Sequence, residues 1–75
     1  MNIAKKLQAL GYKEWFGTAR KLVHGNTLII EYNVFTEKVE NYYIQTYIYV
    51  NSQKHIVDLQ EAYNELKRDL EELQK

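Results

Sequence analysis

The chain contains no cysteine and no proline, and it has only three glycines among its 75 residues. Without cysteine there is no disulfide and no thiolate metal site. A domain of this size must therefore gain its stability from packing or self-association. No apolar run approaches the roughly 18 residues of a membrane-spanning helix. The N-terminal segment MNIAKKLQAL also lacks the long apolar core of a signal peptide. We therefore expect a single cytoplasmic domain, residues 1–75, that does not contact a membrane.

The charge that is present is unevenly distributed, although the formal net charge is zero. Residues 1–54 contain seven Lys and Arg against four acids, whereas residues 55–75 contain three against six. A neutral total argues against non-specific nucleic-acid binding, which depends on neutralising phosphates. The asymmetry suits a charged partner, but a solvated helix face is the more common cause of such a pattern.

Periodicity and turn signals predict an α+β fold with the element order α-β-β-β-α. Both helices are expected to pack on one face of a three-stranded antiparallel sheet. Asn2 is the candidate N-cap of the first helix, and Gly11 is the candidate left-handed residue after its end. The predicted helices cover about residues 2–10 and 53–73, and the predicted strands about residues 15–24, 27–35 and 42–50.

A two-residue turn at Gly25-Asn26 fixes the expected register of the first two strands, with Arg20 opposite Glu31 and Phe16 opposite Phe35. Lys21 is a misfit on the face toward the helices, where its stem is expected to lie on the core while its ammonium reaches water from an edge strand. The other residues expected on that face are Gly17, Ala19, Leu28, Ile30, Tyr32, Val34, Tyr42, Ile44, Ile48 and Val50.

The opposite face of the predicted sheet is also apolar. Side chains of a strand alternate between its two faces, so the segment YYIQTYIYV places tyrosines on both. Such an area is too large to leave in water without consequence, and Tyr and Arg are common at binding hot spots. A protein partner, a second copy of the chain or stacked bases of a single-stranded nucleic acid could cover it. Its predicted residues are Phe16, Arg20, Leu22, Ile29, Phe35, Tyr43, Tyr47 and Tyr49.

The last helix has two stripes. Its apolar seam has heptad-like spacing, which favours packing on the chain's own sheet over the alternative of a coiled-coil dimer. Because a helix of this length exceeds one strand, the last turns around Leu70 and Leu73 are candidates to extend past the sheet and to meet a second copy in a homodimer. The acidic stripe either docks on a basic, nucleic-acid-binding surface of a protein partner or is a solvated outer face. The seam consists of Ile56, Leu59, Tyr63, Leu66, Leu70 and Leu73, and the acidic stripe of Asp58, Glu61, Glu65, Asp69 and Glu72.

No constellation of side chains indicates catalysis or a cofactor. His24 lies beside the predicted hairpin turn and His55 near the start of the last helix, and the spacing of neither indicates a metal site. The three glycines are isolated, so they form no phosphate-binding loop. We expect a non-enzymatic protein without catalytic residues, metal or cofactor.

The element order is that of a double-stranded-RNA-binding domain, but that family has a lysine cluster at the start of its last helix. Here the segment NSQKHIVD offers only Lys54. In size, element order and acidic helix, the whole chain is similar to some phage-encoded anti-CRISPR inhibitors. Those are non-enzymatic proteins that occupy the nucleic-acid- or PAM-binding surface of a CRISPR nuclease. The resemblance involves no shared motif and assigns no residues; it implies a phage or mobile-element inhibitor that binds a host protein.

Overall fold

The computed structural model of the chain describes residues 2–46 and 53–75. Two helices accompany an antiparallel sheet with strand order β1-β2-β3-β4, so the α+β class is confirmed. The described residues form four strands, whereas three were predicted. The elements are α1 (Ile3–Ala9), β1 (Lys13–Trp15), β2 (Thr18–Val23), β3 (Asn26–Tyr32), β4 (Val39–Gln45) and α2 (Gln53–Leu73).

The ends of α1 are as predicted. The Asn2 side chain accepts a hydrogen bond from the backbone N–H of Ala4 at 2.8 Å, and Gly11 follows the C-cap with φ 100°. A second acceptor comes from far along the chain, because Glu37 Oε1 accepts from the Ile3 N–H at 2.7 Å. The loop before β4 therefore holds the start of α1.

The first predicted strand is wrong in one respect, since a tight turn at Phe16-Gly17 divides it into β1 and β2. Both turn residues have positive φ, 41° and 91°, which matches the twist of a two-residue hairpin. A Cβ on Gly17 would lie only 2.8 Å from the carbonyl oxygen of Tyr32. Gly17 is thus required by the turn and by the neighbouring backbone, and not by a closely packed helix.

The second hairpin turn is His24-Gly25, with φ 49° and 80°, so the predicted Gly25-Asn26 turn is wrong by one residue. The register consequently shifts by two residues, and Arg20 pairs with Ile29 instead of Glu31. Because side chains alternate with a period of two, this shift leaves every side chain on its predicted face. The sequence therefore predicted the correct face for each side chain of β2 and β3, although the predicted turn was wrong.

Strand β4 begins earlier than predicted, at Val39, with an irregularity in its pairing beside Glu31 and Tyr32. Tyr42 pairs with Ile30 and Ile44 with Leu28 on the helix side. Tyr42 is nevertheless 54 % exposed, because the helices do not cover this edge of the sheet. The predictions for Ile48 and Val50 lie outside the described residues, and Val34 is an exposed loop residue instead of a core residue.

The core lies between the sheet and both helices, as predicted. The last helix turns do not extend past it: Leu70 and Leu73 pack against the core, whereas Ile56 near the start of α2 is 56 % exposed. The prediction placed the overhang at the C-terminal end of the helix, whereas the exposed apolar side chain lies near its start. The buried core consists of Ile3, Leu7, Tyr12, Ala19, Val23, Leu28, Ile30, Tyr32, Ala62 and Leu66.

Lys21 is held inside the protein, so the prediction that its ammonium reaches water is wrong. The Lys21 side chain is 15 % exposed, and its Nζ lies 2.7 Å from Glu65 Oε2 and 2.9 Å from Asp69 Oδ2. The Tyr12 hydroxyl donates to the same Asp69 oxygen at 2.8 Å. We call Tyr12, Lys21, Glu65 and Asp69 the lysine cluster. It joins β2 to α2 across the core.

Candidate functional site

The sheet face turned away from both helices has no covering element among the described residues. We call it the open face. Pairing across the strands arranges it in rows, one of which runs Lys13, Arg20, Ile29, Tyr43 from β1 to β4. The remaining residues of the open face are Trp15, Thr18, Leu22, Thr27, Glu31, Asn41 and Gln45.

Large apolar side chains at the β1–β2 side of the open face extend into solvent. Trp15 is 74 % exposed and Leu22 is 72 % exposed. Phe16, at the turn, packs edge-to-face on Trp15 with ring centroids 4.8 Å apart. The tight turn orients this aromatic pair, so its geometry exists before any partner binds.

The centre of the open face is buried. Ile29 is only 2 % exposed, and its cross-strand neighbours are Arg20 and Tyr43. The Tyr43 hydroxyl lies 3.4 Å from Glu31 Oε2. Ile29 thus packs beneath the surface, while the side chains of its neighbours Arg20 and Tyr43 remain available for contact.

Lys13 and Arg20 give the β1–β2 side a positive charge. They are exposed and directly opposite each other, and neither makes an ion pair within the described part of the chain. Like charges directly opposite on a sheet are destabilising. Two like charges placed opposite each other without an ion-pair partner among the described residues favour a role in binding an acidic group.

The predicted sheet-face residues divide into three groups. Arg20, Leu22, Ile29 and Tyr43 lie on the open face. Phe16 lies at its margin, whereas Phe35 is in the β3–β4 loop and 91 % exposed, so the predicted Phe16–Phe35 pair is wrong. Tyr47 and Tyr49 lie outside the described residues.

Sequence reasoning missed Trp15 and Lys13. Both were missed because the first strand was predicted to begin at Trp15 and to run on through Phe16-Gly17. The glycine was the available signal, since a Gly after an exposed residue inside a strand pattern marks a turn or bulge. A turn there adds a strand and brings Lys13 opposite Arg20.

Part of the acidic stripe of α2 faces the sheet instead of open solvent. Asp69 is 6 % exposed and, with Glu65, neutralises Lys21, while Glu61 lies 2.9 Å from His24. Asp58 and Glu72 make only local contacts, with Lys54 and Lys75. Much of the stripe therefore has a function inside the fold, and Asp69 is not accessible to a partner.

The electrostatics of the lysine cluster are those of a structural ion pair. Burial alone lowers the pKa of Lys21, but its bonds to Glu65 and Asp69 outweigh burial and raise that pKa above the ordinary value. Burial, followed by the bond to Asp69, likewise raises the pKa of Tyr12. A nucleophilic lysine requires a lowered pKa, so this cluster is suited to stabilising the fold.

Within residues 2–46 and 53–75, one group of side chains could hold a metal: His24, Asp58 and Glu61. No helix in the same ranges has the length and apolar character needed to cross a bilayer. No protein-family model, curated protein or solved structure matches the chain.

Proposed function

We propose that the chain is a non-enzymatic interaction protein that binds a protein partner through the open face of its sheet. One observation carries the proposal: a preformed, solvent-exposed Trp15–Phe16 pair lies beside two unpaired cations. Trp, Tyr and Arg are the residue types that dominate binding hot spots.

The geometry of the open face supports tight binding. Leu22 and Trp15 expose apolar area that a partner would remove from water, at about 25 cal/mol per Å². The aromatic pair is held by a tight turn and Ile29 is buried beneath the face. Little ordering is then needed on association, which preserves affinity.

The charge of the open face specifies its partner further. Lys13 and Arg20 favour a protein surface that places carboxylates next to an apolar groove. The resemblance to phage-encoded anti-CRISPR inhibitors keeps a CRISPR nuclease among the candidate partners and a phage or mobile element as the proposed source. Glu61 and Glu72 remain on the surface of α2 and are available for a secondary contact.

Capture of partners from a cell extract, followed by affinity measurement with the purified captured protein, tests this proposal. Trp15→Ala and Leu22→Ala should each weaken binding by about tenfold or more, as truncation of a hot-spot residue does. Tyr63→Ala is the matched control, because Tyr63 is equally an exposed apolar residue but lies on α2. Loss of binding in Tyr63→Ala, with none in the two open-face variants, would refute the open face as the docking surface.

A single-stranded nucleic acid is the second candidate, favoured by the position of Lys13 and Arg20 beside two exposed aromatic rings. Aromatic side chains stack bases while cations contact the backbone phosphates. Oligonucleotides at low salt should then quench the fluorescence of Trp15, the only tryptophan, and Arg20→Gln should weaken the effect. Absence of quenching at low salt would exclude this function.

A structural homodimer is the remaining alternative. It requires the open face of one copy to cover that of another. Sedimentation of the pure chain over a range of concentrations decides this. A monomer at high concentration would exclude the homodimer and leave the open face for a foreign partner.

A further inference from the structure

A separate cluster of side chains lies where the β2–β3 turn meets α2. His24 is the first residue of that turn, and its Nε2 lies 2.9 Å from Glu61 Oε2. Asp58 lies one helical turn before Glu61 on α2. Each of the three offers one ligand atom, and these atoms all lie within 4.8 Å of one another.

We propose that His24, Asp58 and Glu61 bind a divalent transition-metal ion of the Zn²⁺ type. Zinc takes an imidazole nitrogen at about 2.0–2.1 Å and a carboxylate oxygen at about 2.0–2.2 Å. In tetrahedral coordination, two ligand atoms at these bond lengths are about 3.4 Å apart. The three atoms lie within 4.8 Å of one another, with His24 Nε2 2.9 Å from Glu61 Oε2, so rotations of these side chains would bring all three atoms to the separations that one ion requires.

The chemistry of the three ligands selects the metal. A neutral imidazole suits Zn²⁺, Co²⁺ and Ni²⁺, whereas Ca²⁺ and Mg²⁺ prefer oxygen ligands alone. Two carboxylates beside a neutral imidazole also carry net negative charge that attracts a dication. His24 and Glu61 are about half exposed, so the ion would retain open positions for water or a further ligand.

A competing cation is already present, but it is weakly held. Lys54 Nζ lies 3.6 Å from Asp58 Oδ2, and the Lys54 side chain is 87 % exposed. Exposed pairs of this kind contribute little, so a dication would displace Lys54 readily. The alternative use of the cluster is the His24–Glu61 contact alone, with no metal.

Metal binding at this position would fasten the β2–β3 hairpin to α2. A ligand that binds only the folded chain stabilises it by RT ln(1 + [L]/Kd). Zn²⁺ should therefore raise the melting temperature of the chain in a concentration-dependent way, and Mg²⁺ at the same concentration should not. This inference concerns a site away from the open face and does not depend on the proposed function.

The test is titration of the untagged chain with Zn²⁺ by calorimetry and with Co²⁺ by visible absorption. We expect one ion per chain, with binding weakened by about tenfold or more in both His24→Asn and Glu61→Gln, since even outer groups of metal sites cost 10–100-fold. Asn tolerates the positive φ of the turn, and circular dichroism checks each variant's fold. His55→Gln, which changes the other histidine, is the control and should bind as the wild type does.

Three results would overturn the proposal. The first is no binding of Zn²⁺ or Co²⁺ by the wild-type chain up to millimolar metal. The second is binding that Glu61→Gln and His24→Asn leave unchanged. The third is loss of binding in His55→Gln alone, which would move the metal to another group of ligands.

Discussion

Lys21 links the sheet to α2 through ion pairs with Glu65 and Asp69. The sequence predicted that Lys21 lies on the sheet face toward the helices, an unusual position for a lysine, and this prediction is confirmed. Its partners Glu65 and Asp69 are on a distant element and were read as one outward-facing stripe. Spacing along α2 shows that acids share a side, but it does not show which side faces a buried lysine.

Replacing Lys21 should therefore destabilise the chain strongly. Lys21→Met leaves Glu65 and Asp69 side by side without their cation, and breaking a buried pair in this way costs about 3–5 kcal/mol. The control is Lys13→Met, because Lys13 is exposed on the sheet and should change the free energy of unfolding by about 0.5 kcal/mol or less. Urea denaturation of both variants is the measurement, and equal effects would contradict the structural role of the lysine cluster.

The buried hydroxyl of Tyr32 should make the stability of the fold sensitive to alkaline pH. This hydroxyl donates to Glu14 Oε1 at 2.6 Å, and burial together with this bond raises the pKa of Tyr32 to about 12 from 10.0. A pKa raised by folding means that the phenol's contribution is complete below pH 10 and is lost as the pH rises through about 12. Stability should accordingly fall across that window.

The variant Tyr32→Phe isolates this contribution. It should be less stable than the wild type below pH 10, and its stability should fall less steeply between pH 10 and about 12. Tyr43→Phe, which removes an exposed phenol from the open face, should follow the wild-type profile. A Tyr32→Phe profile parallel to that of the wild type would contradict the assignment. Urea denaturation at a series of alkaline pH values provides the profiles.

At the scale of elements, the helices were predictable and the turns were not. The bounds of α2 match the prediction because a long apolar periodicity defines a helix well, and Asn2 and Gly11 mark the ends of α1 by their chemistry. The turns Phe16-Gly17 and His24-Gly25 each place a non-glycine residue at positive φ. Few residues tolerate that conformation, so neither Phe16 nor His24 indicated it.

The two glycine turns provide a matched pair of substitutions. Gly17→Ala introduces both an unfavourable φ and a Cβ 2.8 Å from the Tyr32 carbonyl oxygen, whereas a Cβ on Gly25 meets nothing within 4 Å. Left-handed backbone costs an L-residue about 1–2 kcal/mol, and this is all that Gly25→Ala should lose. Gly17→Ala should lose clearly more, and thermal denaturation compares them. Equal losses would show that the Tyr32 backbone moves aside.

At the scale of the whole molecule, the sequence predicted a sheet with helices on one face and an apolar face opposite. The register of β2 and β3 was wrong by two residues, an even number, so alternation left their side chains on the predicted faces. It did not predict where on that face the exposed groups concentrate. Trp15, Lys13 and the turn at Phe16 come together only when β1 folds back on β2. The acidic stripe was assigned to a partner because its internal cation was not recognisable from local spacing.

The central claim is that the open face is the docking surface, and the accessibility of Trp15 tests it most directly. Trp15 is the only tryptophan and is 74 % exposed, so acrylamide should quench its fluorescence efficiently in the isolated chain. Adding the captured partner, after removing its own tryptophan signal by subtraction, should markedly reduce the quenching constant. A partner that binds fully while Trp15 stays as accessible to acrylamide as before would contradict docking on the open face.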